Sequence, residues 1–217
     1  MVIFACQVLS GYKEGRAKEF FCRMPSSQGL LKPAIFLDRD GTLNVDKGYV
    51  SKAEQWEWTP GAVEAIRGFN SLGFCVVVVS NQSGIGRGYY KKEDVDQLHR
   101  FVNERLGEHG AKIDAFYFCP HRPEGGCDCR KPRPGLIFQA RSAQGIDLGK
   151  SFMVGDKEID VLAALAAGVT PILVETGYGK REKEKVSPGV LILPDLRAVA
   201  AYLGCERAGM DNPKNLE

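Results

Sequence analysis

From Ala34 onward, short uninterrupted apolar runs alternate with stretches in which apolar residues recur every three or four positions. The runs are AIFLD (34–38), CVVVVS (75–80), AFYFC (115–119), SFMVGD (151–156), PILVE (171–175) and VLILP (190–194). Continuous β-branched and aromatic residues over so few positions predict strands covered on both faces, as in a parallel sheet. Between the first two runs, TPGAVEAIRGFNSLG predicts a helix with Thr59 as N-cap and Pro60 at its first position. Val63, Ile66 and Leu72 would line one side of it, and Gly73 would stop it. A second helix is expected over 91–108, with Val95, Leu98, Val102 and Leu106 as its apolar stripe. Further helices are expected over 135–144, over EIDVLAALAAG, and after the last strand. This alternation predicts an α/β chain with a Rossmann-like three-layer fold and a mostly parallel sheet, whose sites lie beyond the carboxyl ends of the strands.

The ends read differently. Residues 1–32 are weakly periodic and close on the polar stretch PSSQG, so they are expected to be an N-terminal extension, with Met24 as an alternative natural start. Residues 33–204 would form the domain and 205–217 a polar C-terminal tail. The first residues lack the basic region and small-residue cleavage site of a signal peptide.

Composition narrows the class. The chain has 217 residues, 44% apolar and 26% charged, which fits one soluble globular domain. A net charge of +2 with interspersed signs gives no electrostatic footprint for nucleic acid or a membrane surface, so any charge-driven partner must be recognised locally, and a monomer is the default expectation. Seven cysteines, three clustered and four dispersed, do not form a secreted disulfide framework, and a reducing, cytoplasmic compartment fits better.

The clustered cysteines stand in CPHRPEGGCDCRKPRPG (119–135), in a chain with only three histidines. The spacing C-x-H-x5-C-x-C suits a tetrahedral zinc ion held by Cys119, His121, Cys127 and Cys129. Four protein ligands close the shell and leave no place for an activated water, so the expected role is structural: zinc shapes a Gly- and Pro-rich loop and fixes Arg130 and Lys131.

Polar clusters also end three strands: DRDGTLN (38–44), SNQSG (80–84) and GDKEID (155–160). A lone D-x-D-G is ordinarily a turn. In a parallel sheet, however, these ends share one edge, and Asp38, Asp40, Ser80 and Asp156 converge if their strands are neighbours. Converging carboxylates need a cation, and a hard divalent ion such as Mg2+ takes oxygen ligands and leaves room for a phosphate. Asp38 is then placed to be a nucleophile and Asp40 to carry a proton, with Ser80, Asn81 and Lys131 as donors to phosphoryl oxygens.

In that order, DRDGT, SNQSG, RKPRPG and GDKEID resemble the signature segments of the haloacid dehalogenase superfamily of phosphatases, over residues 34–176. DRDGTLNVDKGYV, SNQSGIGRGY and CPHRPEGGCDCRKPRPG are similar, more narrowly, to the D-glycero-D-manno-heptose-1,7-bisphosphate 7-phosphatase subgroup, which carries a zinc-bound loop in place of a large cap domain. The resemblance implies removal of the 7-phosphate of that sugar. Asp38 would form an aspartyl-phosphate, and Asp40 would protonate the leaving oxygen and then activate water. It implies Mg2+ on Asp38, the Asp40 carbonyl and Asp156, and phosphoryl stabilisation by Ser80 and Lys131. Substrate contacts would come from Asp46, Lys47, Gly48, Tyr49, Asn81, Gln82, Ser83, Arg130 and Lys157, with Asp160 orienting its neighbours. The chain has Ser80 where threonine is common, and a short span from His121 to Cys127. Such an enzyme would serve surface-glycan precursor synthesis. The histidinol-phosphate phosphatase branch shares the aspartates and the zinc loop and is the alternative. A zinc-containing binding protein on an inactive scaffold is the reading from another class, opposed by the intact Asp38, Asp40, Lys131 and Asp156.

The remaining chemistry-bearing residues invite plain readings. His99 and His109 are expected at the surface, Cys75 in the core, and GIGRG as a flexible turn without the register of a nucleotide loop.

Overall fold

A computed structural model describes residues 31–209. The six predicted strands form one sheet: β1 (Ala34–Leu37), β2 (Cys75–Asn81), β3 (Ala115–Cys119), β4 (Phe152–Gly155), β5 (Thr170–Val174) and β6 (Leu191–Leu193). Their order is β3-β2-β1-β4-β5-β6, and every pairing is parallel. The chain first builds outward from β1 on one side and then crosses to β4 on the other. The reversal falls between β1 and β4, where open α/β sheets leave a crevice at their carboxyl edge.

Side chains along each strand alternate between two cores, which is why the strands are apolar at every position. Ile35, Leu37, Val76 and Val78 pack on one face under α1 (Ala62–Ser71), α3 (Lys92–Gly107) and α7 (Leu196–Ala208). Ala34, Phe36, Val77, Val79 and Met153 pack on the other, under α4 (Gly135–Gln144) and α5 (Glu158–Ala167). Each fully buried large apolar side chain contributes roughly 1.5–3 kcal/mol. The predicted stripe Val95, Leu98, Val102 and Leu106 is buried as a unit. Among the described residues no second folded unit interrupts the sheet, and no helix is long and apolar enough to cross a membrane.

Five local expectations are corrected. The first helix begins at Ala62 after Gly61 in the left-handed region (φ 77°), because the Thr59 hydroxyl instead donates to the carbonyls of Thr42 (2.7 Å) and Leu43 (3.2 Å). Tertiary tethering of the loop after β1 wins over local capping. GIGRG is part of a short helix, α2 (Ser83–Arg87), ended by Gly88. His99 is buried, its ring stacked on Phe116 at 4.2 Å, since its position on α3 falls beside Leu98 on the side facing the sheet. Helix α7 runs through Cys205 to Ala208, into the segment expected as a tail. Leu31 and Lys32 belong to the described fold, with the Lys32 amide donating to Gly145 and its carbonyl accepting from Asp147. The rest of the expected extension, including Met24, Cys6 and Cys22, and residues 210–217 lie outside the described residues.

Candidate active site

Register delivers the polar clusters to one place. Leu37 is paired with Val78 on one side and Val154 on the other, so Asp38, directly after β1, emerges between the ends of β2 and β4. Ser80 and Asn81 end β2 opposite Phe118 and Cys119 of β3, and Asp156 follows β4. One edge of the sheet thus collects Asp38, Ser80, Asp156 and the start of the cysteine loop.

At its centre is a buried charge cluster. Lys131 Nζ lies 2.5 Å from Asp38 Oδ1 and 2.6 Å from Asp160 Oδ1, and also donates to the Val79 carbonyl at 2.8 Å. A lysine with almost no exposed surface would ordinarily lose its proton, since burial disfavours the cation. Here Asp160 and Asp38 outweigh that burial and hold its pKa above the ordinary value. Asp160 is pushed up to about 6 by burial, with Lys131 opposing. It reaches the cluster from the first turn of α5, and its Oδ2 accepts the Lys157 amide at 3.1 Å, closing that helix's N-terminus.

Asp156 tests whether a divalent cation fits. Burial first, and Asp38 second, push its carboxyl up to about 7. Its Oδ2 accepts the Tyr178 amide at 2.8 Å, while Oδ1 is buried and lacks a hydrogen-bond partner among the described residues. Acceptor oxygens of Asp38, Asp156 and Asp160 lie within 4.8 Å of one another. A buried carboxylate oxygen without a donor, beside a second carboxylate, is suited to a hard cation such as Mg2+. Gly41 keeps this corner open: its φ is +96°, and a side chain there would run into the Asp156 carboxylate. Lys157 sits nearby at 3.5 Å from Asp46, 3.8 Å from Asp156 and 3.4 Å from the Asp40 carbonyl; burial alone would lower its pKa, but Asp38, Asp156 and Asp46 together hold it above the ordinary value.

Asp40 is held differently. Arg39, buried completely, bridges both of its oxygens at 3.0 Å and is itself anchored to the Val50 carbonyl at 2.6 Å. Asn44 Nδ2 donates to Oδ1 at 3.1 Å and Gln82 Nε2 to Oδ2 at 2.9 Å. Burial alone would raise the Asp40 pKa, but the Arg39 charge and these donors hold it below the ordinary carboxylate range. Sequence reasoning missed Arg39, Asn44 and Tyr90, the last donating its hydroxyl to Gln82 Oε1 at 2.9 Å. The only available signal was the arginine between the two acids of DRD, a position where a merely solvated turn would not need one.

The cysteine loop forms as spaced. Cys119 Sγ lies 3.4 Å from Cys127 Sγ and 3.5 Å from His121 Nδ1, and Cys129 Sγ lies 3.5 Å from Cys127 Sγ and 3.3 Å from His121 Nδ1. Tetrahedral zinc, with Zn–S of about 2.3 Å, needs ligand atoms roughly 3.6–3.8 Å apart, so these four donors fit one zinc ion after a small expansion. The loop is tied to the second strand by Asn81, whose amide accepts the Lys131 N–H and donates to the Lys131 carbonyl, both at 3.1 Å. Arg130 donates to the His121 carbonyl at 3.4 Å.

The remaining predicted residues surround this centre unevenly. Asp46 accepts the Gly48 amide, and Lys47 pairs with Glu57 at the surface. Tyr49, exposed and in the left-handed region (φ 53°), meets Tyr89 edge to face at 4.8 Å. Ser83 opens α2. The side-chain amides of Asn81 and Gln82, both expected to meet the substrate, hydrogen-bond the Lys131 backbone and Asp40.

Comparison with known proteins agrees with this geometry. A family model described as HAD-hydrolase-like matches residues 128–199. The D-glycero-β-D-manno-heptose-1,7-bisphosphate 7-phosphatase of Pasteurella multocida is 42% identical over 178 residues, covering 76% of this chain and 97% of the relative. The phosphatase of the same name from Escherichia coli K12 is 46% identical over 153 residues, covering 67% and 80%. A crystal structure of the D,D-heptose 1,7-bisphosphate phosphatase of B. bronchiseptica, complexed with magnesium and phosphate, superposes with a TM-score of 0.76 at 36% identity, covering 80% of this chain and 99% of that one. The chain therefore belongs to the haloacid dehalogenase superfamily of phosphatases, in the family of the heptose-1,7-bisphosphate 7-phosphatases.

Proposed function

We propose that this protein is a Mg2+-dependent phosphatase that removes the 7-phosphate of D-glycero-D-manno-heptose 1,7-bisphosphate, working in the cytoplasm as a monomer. The observation that carries the chemistry is the buried contact of Lys131 with Asp38, next to an Asp156 oxygen that has no hydrogen-bond partner among the described residues. The substrate is taken from the names of relatives that match most of this chain.

Asp38 is the nucleophile. One oxygen is engaged by Lys131, which orients the carboxylate and offers a charge to the phosphoryl oxygens as they crowd the site. Attack forms a bond from Asp38 to phosphorus and breaks the bond to the sugar oxygen, which takes a proton from Asp40. The negative charge of an arriving phosphate opposes the hold of Arg39 and favours a protonated Asp40. In the second half, ionised Asp40 takes a proton from the water that attacks the aspartyl-phosphate, and phosphate leaves. Asp38, the Asp40 carbonyl and Asp156 would hold Mg2+, which supplies charge neutralisation between the phosphate and the carboxylates. Ser80 donates to the phosphoryl group, while Arg130, Lys157, Asp46 and the segment through Tyr49 form the sugar side. Cys119, His121, Cys127 and Cys129 would hold zinc, which would shape the loop that delivers Lys131.

The test is phosphate release by the purified protein with Mg2+, comparing both anomers of the heptose bisphosphate with histidinol phosphate. A kcat/KM for one heptose anomer at least about a hundredfold above the rest, about 2.7 kcal/mol of discrimination, is the expected result. A preference for histidinol phosphate would overturn the substrate and keep the mechanism.

A further inference from the structure

We propose that Tyr90 is a positioning residue for catalysis, holding Gln82 so that its amide nitrogen stays aimed at Asp40. The proposal rests on the reading of Asp40 as the group that protonates the leaving oxygen.

Three observations carry it. The first is a continuous chain of donors: Tyr90 Oη donates to Gln82 Oε1 at 2.9 Å, and Gln82 Nε2 donates to Asp40 Oδ2 at 2.9 Å, with Ser80 Oγ a further neighbour at 3.3 Å. The second is that Gln82 is almost wholly buried and its backbone N–H is tied to the Cys119 carbonyl at 2.8 Å, so little but side-chain rotation is left to it. The third is that room has been left for the tyrosine. Its ring passes over Gly84, where any side chain would collide with Cε1, Cζ and the hydroxyl.

An amide has one accepting and one donating end. With Oε1 engaged by a hydroxyl, Nε2 is committed to the carboxylate; without it, Oε1 becomes a buried acceptor with no donor, and the amide is free to rotate away from Asp40. Burial, ahead of its charged neighbours, raises the Tyr90 pKa, so the hydroxyl keeps its proton and stays a donor. Arg39 and Asn44 hold Asp40 from the other side, and Gln82 completes the fork that sets its angle to the reacting phosphate. A displaced Asp40 delivers its proton poorly, and positional errors of this kind are costly in rate.

The consequence depends on the leaving group. As the bond from Asp38 to phosphorus forms and the ester bond breaks, a sugar oxygen leaves as a strong base and needs the proton from Asp40, whereas a nitrophenolate leaves without one. The measurement is kcat/KM, which spans ester cleavage but not hydrolysis of the phosphoenzyme, for Tyr90→Phe and Gln82→Leu with heptose bisphosphate and with 4-nitrophenyl phosphate. Both variants are expected to lose roughly tenfold on the sugar ester, within the usual range of acid–base effects, and at most about twofold on the aryl ester. The Tyr90→Phe loss is expected in kcat rather than KM. Asp40→Asn is the control and should show the same split more strongly. Equal losses of Tyr90→Phe on both esters, or none on either, would overturn the proposal while the Asp40 control still splits. A control without a split would overturn the acid assignment beneath it.

Discussion

Lys131 and Asp38 are 93 positions apart in the chain and 2.5 Å apart in the fold, both almost completely buried. No local preference brings them together. Asp38 is placed by the central strand, and Lys131 by a loop that follows an outer strand, the four candidate zinc ligands being the last residue of that strand and three residues of the loop. Two separate pieces of structural chemistry, a parallel sheet and a metal-shaped loop, therefore have to be correct before the nucleophile meets its cation.

Removing the zinc should disable the enzyme through Lys131. Cys129→Ser, or exhaustive chelation with a strong zinc chelator, is expected to lower bound zinc from about one equivalent per chain toward none and to cut kcat at least about tenfold. Mild removal of Mg2+ should abolish turnover with the zinc retained. Elemental analysis beside the activity assay checks both; a zinc-free protein with full turnover would remove zinc from the account.

Asp160 is expected to matter although it is no nucleophile. Asp160→Ala strips one of the two carboxylates from buried Lys131 and should destabilise the fold by about 3–5 kcal/mol, the usual cost of breaking a buried charge pair. Asp160→Asn keeps the shape and removes only the charge, so it should be the milder of the two. Chemical denaturation of both variants checks the order; equal stability of Asp160→Ala and the parent would contradict the buried cluster.

His99 makes acid stability testable. Burial against Phe116 and Phe118 depresses its pKa from the ordinary 6.5 to about 3, and its Nε2 is buried without a hydrogen-bond partner among the described residues. The unfolded chain therefore binds a proton that the folded chain refuses. The stability this linkage protects is complete above about pH 6.5 and is lost as pH falls toward 3, at up to about 1.4 kcal/mol per pH unit. His99→Phe removes that contribution, so thermal unfolding between pH 6.5 and 4 should fall less steeply than in the parent. Parallel slopes would contradict the burial of a neutral imidazole.

How far the chain could be read follows from the range of each interaction. The strands, the α3 stripe and the cysteine cluster rest on spacing within a few residues, and they stand in the fold where spacing put them. The convergence of the acids needed only that β1, β2 and β4 be neighbours. What escaped was tertiary: Thr59 serves the carbonyls of Thr42 and Leu43 instead of capping a helix, and His99 looks polar in a polar stretch until the sheet packs under it. Nothing in SNQSG, where Gln82 and Asn81 are expected to meet the substrate, announces that their amides also reach Asp40 and the Lys131 backbone.

The central claim is that Asp38 carries the phosphoryl group. The direct measurement is rapid acid quench of the enzyme with heptose bisphosphate labelled with 32P at the 7-phosphate, in the presence of Mg2+. The account predicts protein-bound label that is stable to acid, released by hydroxylamine as an acyl phosphate is, and absent from Asp38→Asn, which should also lose at least about a thousandfold in kcat. Undiminished turnover by Asp38→Asn, or label that resists hydroxylamine, would contradict it.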